Sequence, residues 1–227
     1  MEYLSHGCAE QPIRLLIFDL DGTLADTIDS IREGVNLAMR KYGFPERSYE
    51  EVRLAIGNGA RELIRLSMPV SDAADAALVD RVLADYHAFY GQTYVHCDCC
   101  YDGMVESLRT LRERGYTLAV LSNKQDVYVK ALVQSLLPEG WISLAAGQTE
   151  LPTKPDPTVP LMMARELGFS PDETAFIGDS EVDVQTARNA CMMAVGCSWG
   201  YRERALLSES GADVLLDEPM ELIQLFE

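Results

Sequence analysis

No run of about 18 apolar residues occurs in the chain, so the sequence offers no membrane-spanning helix. The start, Met1 to Pro12, has neither a basic beginning nor an apolar stretch, and it does not read as an export signal. The chain is therefore expected in the cytoplasm, with its six cysteines, Cys8, Cys97, Cys99, Cys100, Cys191 and Cys197, reduced. Basic residues are scarce. The 19 Lys+Arg against 36 Asp+Glu give a net charge of −17. That balance disfavours nucleic acid and anionic membrane as partners. An anionic substrate would need local positive charge from a metal or from a few placed basic residues. Internal repeats and low-complexity segments are also lacking.

What is present is an ordinary globular mix, 48% hydrophobic and 24% charged, in 227 residues. Leu15-Leu16-Ile17-Phe18 predicts a buried strand within residues 14–19, expected to pair in parallel from its unbroken apolar run. From Asp26 the pattern turns helical, with Ile28, Ile31, Val35, Leu37, Ala38 and Met39 as a stripe ending at Gly43 and Pro45. Ser48 and Glu51 form a capping box for a helix reaching Ile56. Gly57-Asn58-Gly59 breaks the pattern, Ala60 to Met68 resumes it, and Ser71 opens a long helix through Tyr90. Residues 26–93 thus read as an all-helical insert, holding 8 of the 19 basic residues. Residues 1–25 and 94–227 then form the α/β core. Its expected strands are 116–121, 142–146, 174–177, 192–196 and 212–216. Its expected helices are 103–114, 127–137, 158–167, 182–190, 202–209 and a short final 220–226. Repeated strand–helix units predict a doubly wound parallel sheet of Rossmann-like type, with the helical insert as a second domain.

Four polar clusters each follow an apolar strand or a breaker: Asp19/Asp21, Ser122/Asn123, Lys154 and Asp179/Asp183. In a parallel sheet the C-terminal strand ends share one edge, so distant residues meet there. Carboxylates end a strand that is driven inward, and a cation would offset that burial cost. Oxygen-only ligands suit Mg²⁺. A lysine and a hydroxyl suit phosphate oxygens.

The set resembles the haloacid dehalogenase superfamily, and within it the phosphatases. Asp-Leu-Asp-Gly-Thr at 19–23, Leu-Ser-Asn at 121–123, Lys154 in Lys-Pro-Asp-Pro, and Gly-Asp-Ser-Glu-Val-Asp at 178–183 match its four motifs in order, across nearly the whole chain. The resemblance implies Asp19 as nucleophile, forming a phosphoaspartyl intermediate, and Asp21 as general acid and then base. It implies Mg²⁺ held by Asp19, the Asp21 carbonyl and Asp179, with Asp183 close by. Ser122, the Asn123 backbone N–H and Lys154 would clamp the phosphoryl group, with Gly22 and Thr23 in the same substrate-binding loop.

Residue choices then separate branches. Dehalogenases lack the second acid, which here is Asp21. Phosphonate hydrolases use a lysine in the helical insert, and Lys41, the only lysine between Asp26 and Thr93, reads as a surface group. Phosphosugar mutases place a histidine where this chain has Ile31. The insert resembles the superfamily's small helical cap. Its Gly57-Asn58-Gly59-Ala60-Arg61 loop, Tyr101-Asp102-Gly103, the run at 195–202 and Ala212–Asp217 resemble phosphoglycolate phosphatases. In that reading Gly57, Asn58, Gly59 and Arg61 recognise the carboxylate of 2-phosphoglycolate. Departures occur at Ala145–Gln148, Cys191 and Asp102-Gly103. Alternatives are a pyrophosphatase or other small-metabolite phosphatase, a mutase, and an inactive binding protein. The expected partner is a small phosphorylated metabolite, and the expected assembly a monomer or homodimer. His96-Cys97-Asp98-Cys99-Cys100 lacks metal-finger spacing and reads as a hinge with reduced thiols. His87 reads as a packed or surface group, and Trp199 and Tyr201 as core or as a wall near the site, with packing the preferred reading.

Overall fold

The apolar run Leu15–Phe18 forms strand β1, and all four of its side chains are buried. Side chains alternate across a strand, so Leu16 and Phe18 join one hydrophobic cluster and Leu15 and Ile17 another on the opposite face. Both faces are covered, which is why the run is unbroken rather than alternating. The computed structural model of the protein describes residues 12–94 and 99–227. The readings made for residues 1–11 and for His96, Cys97 and Asp98 lie outside the described residues.

After β1 the chain makes a two-residue strand, β2 (Ala25–Asp26), then helices α1 (Ile28–Lys41), α2 (Tyr49–Ala55), α3 (Ala60–Ser67) and α4 (Ala76–Thr93). It returns through β3 (Cys99–Cys100), which pairs antiparallel with β2. The two connections between helical insert and core therefore run side by side. Two residues per strand are too few for a periodic signal, and sequence reading did not find them. The core continues with α5 (Met104–Glu113), β4 (Thr117–Gln125), α6 (Asp126–Leu136), β5 (Leu144–Gln148) and α7 (Thr158–Leu167). It ends with β6 (Thr174–Gly178), α8 (Glu181–Asn189), β7 (Met193–Cys197), α9 (Arg204–Glu209), β8 (Val214–Leu216) and α10 (Leu222–Leu225).

Among the described residues a six-stranded sheet has the order β5-β4-β1-β6-β7-β8, with every neighbouring pair parallel. This is the expected doubly wound α/β core. The insert buries its own cluster, including Ile31, Val35, Val52, Ile64, Val82 and Tyr86, and Tyr201 of the core packs into it. None of the described helices is long and apolar enough to cross a membrane.

Several boundaries differ from the sequence reading. Helix α4 starts at Ala76, not Ser71, because Asp75 caps it by accepting the N–H groups of Ala77 and Leu78. Strand β4 runs past Leu121 to Gln125, with an irregular register between those two residues, so Ser122 and Asn123 lie within it. Helix α9 begins at Arg204, leaving Arg202 in the loop before it. The capping box at Ser48 and Glu51 is present, with Ser48 N–H donating to Glu51 Oε2 at 2.8 Å. Ser48→Ala should cost about 1 kcal/mol and lower the melting temperature by roughly 2–4 °C in a thermal melt.

Candidate active site

The chain builds outward from β1 through β4 to β5, then returns to the other side of β1 with β6. The strand order thus switches at β1, and the crevice beyond its C-terminal end is where open α/β sheets take ligands. Asp19 directly follows β1, and its N–H continues the ladder to Ile177 O of β6 at 2.8 Å. Ser122 comes from β4. Asp179 follows β6, and Ser180 caps α8 through a capping box with Asp183. A cavity of about 60 Å³ opens at this edge. Asp19, Asp21, Ser122, Asn123, Lys154 and Asp179 line it from the core, and Ile31, Ile56, Gly57, Gly59, Leu63 and Tyr86 from the insert.

Lys154 is the electrostatic pivot. Its Nζ lies 2.8 Å from Asp19 Oδ1 and 2.6 Å from Asp183 Oδ1, and the residue is only 5% exposed. Burial alone would lower its pKa, but the Asp183 and Asp19 carboxylates reverse that and hold the ammonium above its ordinary value. Its main chain is pinned by Asn123, which accepts the Lys154 N–H at 2.9 Å and donates to the Lys154 carbonyl at 3.0 Å. Burial pushes the Asp19 carboxyl up to about 7. Lys154 opposes that rise, and Asp183 and Asp21 add to it. Asp179 is raised well above the carboxylate range by burial first, then by Asp183 and Asp19. Bonds from the Tyr201 N–H at 2.7 Å and Thr23 Oγ1 at 3.1 Å offset only part of this.

Three carboxylates against one lysine leave an excess of buried negative charge. Oxygens of Asp19, Asp179 and Asp183 all lie within 4.8 Å of one another. Asp19 Oδ1 is buried and, apart from the Lys154 ion pair, accepts no hydrogen bond. A hard, oxygen-only donor set with this charge fits Mg²⁺. Asp183 is the least available of the three, since Lys154 holds its Oδ1 and the Ser180 N–H and hydroxyl hold its Oδ2.

Some expected site residues sit elsewhere. Gly22 and Thr23 lie behind Asp179 rather than on the cavity wall. Thr23 orients that carboxylate, and a Cβ on Gly22, at φ +85°, would come within 2.4 Å of Asp179 Oδ2. Asn58 is not on the wall, whereas Gly57 and Gly59 are. Arg61 turns away. It is half-exposed and pairs with Asp80 at 3.0 Å on the outer face of the insert. The reason is its place on α3, whose apolar stripe of Leu63 and Ile64 faces inward and carries Arg61 outward.

Other residues were missed as site groups. Lys124 Nζ is 2.6 Å from Asp21 Oδ1, and Thr27 Oγ1 donates to the same oxygen at 2.6 Å. Tyr201, read as core or as a wall near the site, lines the cavity; its hydroxyl accepts the Thr27 N–H at 3.0 Å while its own N–H bonds Asp179. Arg202 donates to the carbonyls of Arg53 and Ile56, at 2.7 and 2.6 Å, at the end of α2. Asn123 donates across to Gly57 O at 3.0 Å, and Arg53 donates to Tyr201 O. These bonds tie the insert onto the sheet edge. For Lys124 one sequence signal existed, its position directly after Ser122-Asn123. His87 is off the cavity, 3.1 Å from Gln125 across the joint between insert and core. Cys99 and Cys100 are free thiols.

Relatives carry the same architecture. A phosphoglycolate phosphatase of Pseudomonas putida is 32% identical over 209 residues, spanning 90% of this chain and 76% of that protein. One of Haemophilus influenzae is 30% identical over 216 residues, spanning 92% and 96%. The crystal structure of a predicted phosphoglycolate phosphatase from Haemophilus somnus superposes with a TM-score of 0.87 at 26% identity, covering 95% of this chain and 98% of that one. The family model for haloacid dehalogenase-like hydrolases matches residues 16–197. That match spans well over half of the sequence, and the protein belongs to the haloacid dehalogenase-like hydrolase family.

Proposed function

We propose that this phosphoric monoester hydrolase is a Mg²⁺-dependent phosphatase of small monoesters, with 2-phosphoglycolate as substrate. One observation carries the reading: Asp19, Ser122, Lys154 and Asp179, spread over 160 positions of sequence, surround a single cavity. The relatives named as phosphoglycolate phosphatases support the substrate.

In this reading an Asp19 oxygen attacks phosphorus as the bond to the leaving oxygen breaks, and Asp21 gives that oxygen a proton. Asp21 then takes a proton from water. The water oxygen attacks the phosphoryl group, releasing phosphate and regenerating Asp19. Ser122, the Asn123 N–H and Lys154 hold the phosphoryl oxygens throughout, since positioning and positive charge do most of the work in phosphoryl transfer. Asp19, the Asp21 carbonyl and Asp179 would hold Mg²⁺, with Asp183 fixing Lys154 beside them. Bound there, the ion supplies positive charge to the phosphoryl oxygens. Residues 26–93 act as a cap that excludes water, with 1–25 and 94–227 as the catalytic core. Ile31 lines the cavity, and a hydrocarbon there cannot serve the acid–base role that a mutase histidine would.

The deciding experiment ranks small phosphate esters by kcat/KM with Mg²⁺. 2-Phosphoglycolate at the head of the panel supports the reading, and a pyrophosphate or phosphosugar preference rejects it. Metal dependence has its own test. Mg²⁺ at about a hundredfold its Kd should raise the melting temperature by roughly 5 °C or more. Asp179→Asn should remove most of that rise. Asp19 and Asp179 hold protons to higher pH than free carboxylates, so protons compete with the ion. The Mg²⁺-induced shift should therefore be larger at about pH 8 than at about pH 5.5. A shift that shrinks as pH rises would contradict this.

A further inference from the structure

Among the described residues the cations lining the cavity are Lys154, Arg202 and Lys124. Two are committed elsewhere. Lys154 lies between Asp19 and Asp183, on the phosphoryl side. Arg202 spends its guanidinium on the carbonyls of Arg53 and Ile56 and on Glu181. Lys124 stands differently. Its side chain is 8% exposed, its ammonium is 2.6 Å from Asp21 Oδ1, and it lies 4.9 Å from the centre of the Tyr90 ring. Asp21 is the group that must reach the ester oxygen, so the space around Lys124 is where the leaving group goes. The insert side chains that line the same cavity are those of Ile31, Ile56, Ala60 and Leu63, with Tyr86. Arg61, the insert cation that sequence reading assigned to the substrate, points away to Asp80.

We infer that Lys124 reads a carboxylate on the leaving group, so that the enzyme selects phosphate esters bearing an acid one carbon from the ester oxygen. The inference rests on the phosphatase reading above. Its geometry is simple. Asp21 touches the ammonium, and the ester oxygen must come within hydrogen-bond distance of Asp21. An acid on the next carbon of the leaving group then falls within reach of the same ammonium. An ammonium carries three donors, so it can serve Asp21 and the substrate together. In a largely apolar wall one such contact sets orientation and specificity. A neutral leaving group gains nothing from it, and a cationic one is repelled.

The test measures kcat/KM for 2-phosphoglycolate and for ethyl phosphate, the same ester with methyl in place of carboxylate. It uses the wild type, Lys124→Met and Lys124→Arg with Mg²⁺. The preference for the acidic ester should fall by roughly 30-fold in Lys124→Met, as expected for loss of a charged hydrogen bond, and should return in large part in Lys124→Arg. Inhibition by glycolate of aryl phosphate hydrolysis should weaken by a similar factor in Lys124→Met. Circular dichroism checks that each variant folds, and Lys124→Gln takes the place of Lys124→Met if that variant does not. If Lys124 only positions Asp21, both esters lose equally, and that result overturns the inference. Wild-type indifference to the acid group also overturns it while leaving a phosphatase in place. If another acidic ester, such as 2-phospholactate, is strongly preferred to its neutral counterpart, the 2-phosphoglycolate assignment falls. Lys124 is then judged on that pair by the same ratio. Absence of turnover on every ester rejects the phosphatase reading and the inference with it.

Discussion

Replacing Asp19 by Asn should cut turnover by roughly 10⁴-fold or more, yet raise the melting temperature in the presence of chelator. The first effect follows from removing the attacking oxygen's charge. The second follows from burial. The folded pKa of Asp19, about 7, lies above its ordinary 3.8, so the ionised form opposes folding. That cost is absent below the unfolded value, grows as pH rises, and is complete above about 7. Asn carries no charge and escapes it. Lys154 keeps Asp183 at 2.6 Å, so the variant does not strand the lysine. Phosphate release and a thermal melt at about pH 8 in chelator check both halves. Near-normal turnover would reject Asp19 as the nucleophile. A lower melting temperature would reject the account of its burial.

Lys154→Met should damage the protein in both respects. It removes the cation between two buried carboxylates and leaves them facing each other. Breaking a buried pair by deleting one partner costs about 3–5 kcal/mol, which corresponds to roughly 10 °C in melting temperature for a chain of this size. Turnover should fall by roughly 10³-fold, since the phosphoryl group loses its nearest fixed positive charge. The double variant Lys154→Met/Asp19→Asn should regain part of the lost stability, because one of the stranded charges is gone. A double-mutant cycle reads that coupling directly. Strictly additive effects of the two substitutions would mean that Lys154 acts on stability through packing of its stem rather than through its charge.

Most of the fold was legible in the sequence for identifiable reasons. The run at Leu15–Phe18 is apolar at every position because the strand is covered on both faces. The helix at Thr158–Leu167 follows a proline-rich breaker and ends at a left-handed glycine, Gly168, so both of its ends carried local signals. The capping box at Ser48 and Glu51 was readable because it depends on four consecutive residues. Failures share a cause as well. The start of α4 was misplaced because Ser71 and Asp75 both suit a cap, and only backbone direction chooses between them. The β2–β3 ribbon escaped because its stability comes from pairing across more than 70 positions of sequence.

The sequence alone determined which polar groups gather at one sheet edge and in what order they follow along the chain: the carboxylates after β1, the hydroxyl of β4, the lysine at 154 and the carboxylates after β6. Local patterns suffice there, because a parallel sheet gathers its C-terminal ends on one edge whatever the loops do. The tertiary structure alone decided which cations look into the cavity. Arg61 and Lys124 are both basic residues beside polar motifs, and nothing local tells them apart. Packing of α3 against the insert core turns Arg61 to solvent, while the extension of β4 to Gln125 carries Lys124 to Asp21. A side chain's direction is set by what its element packs against, and that partner lies far away along the chain.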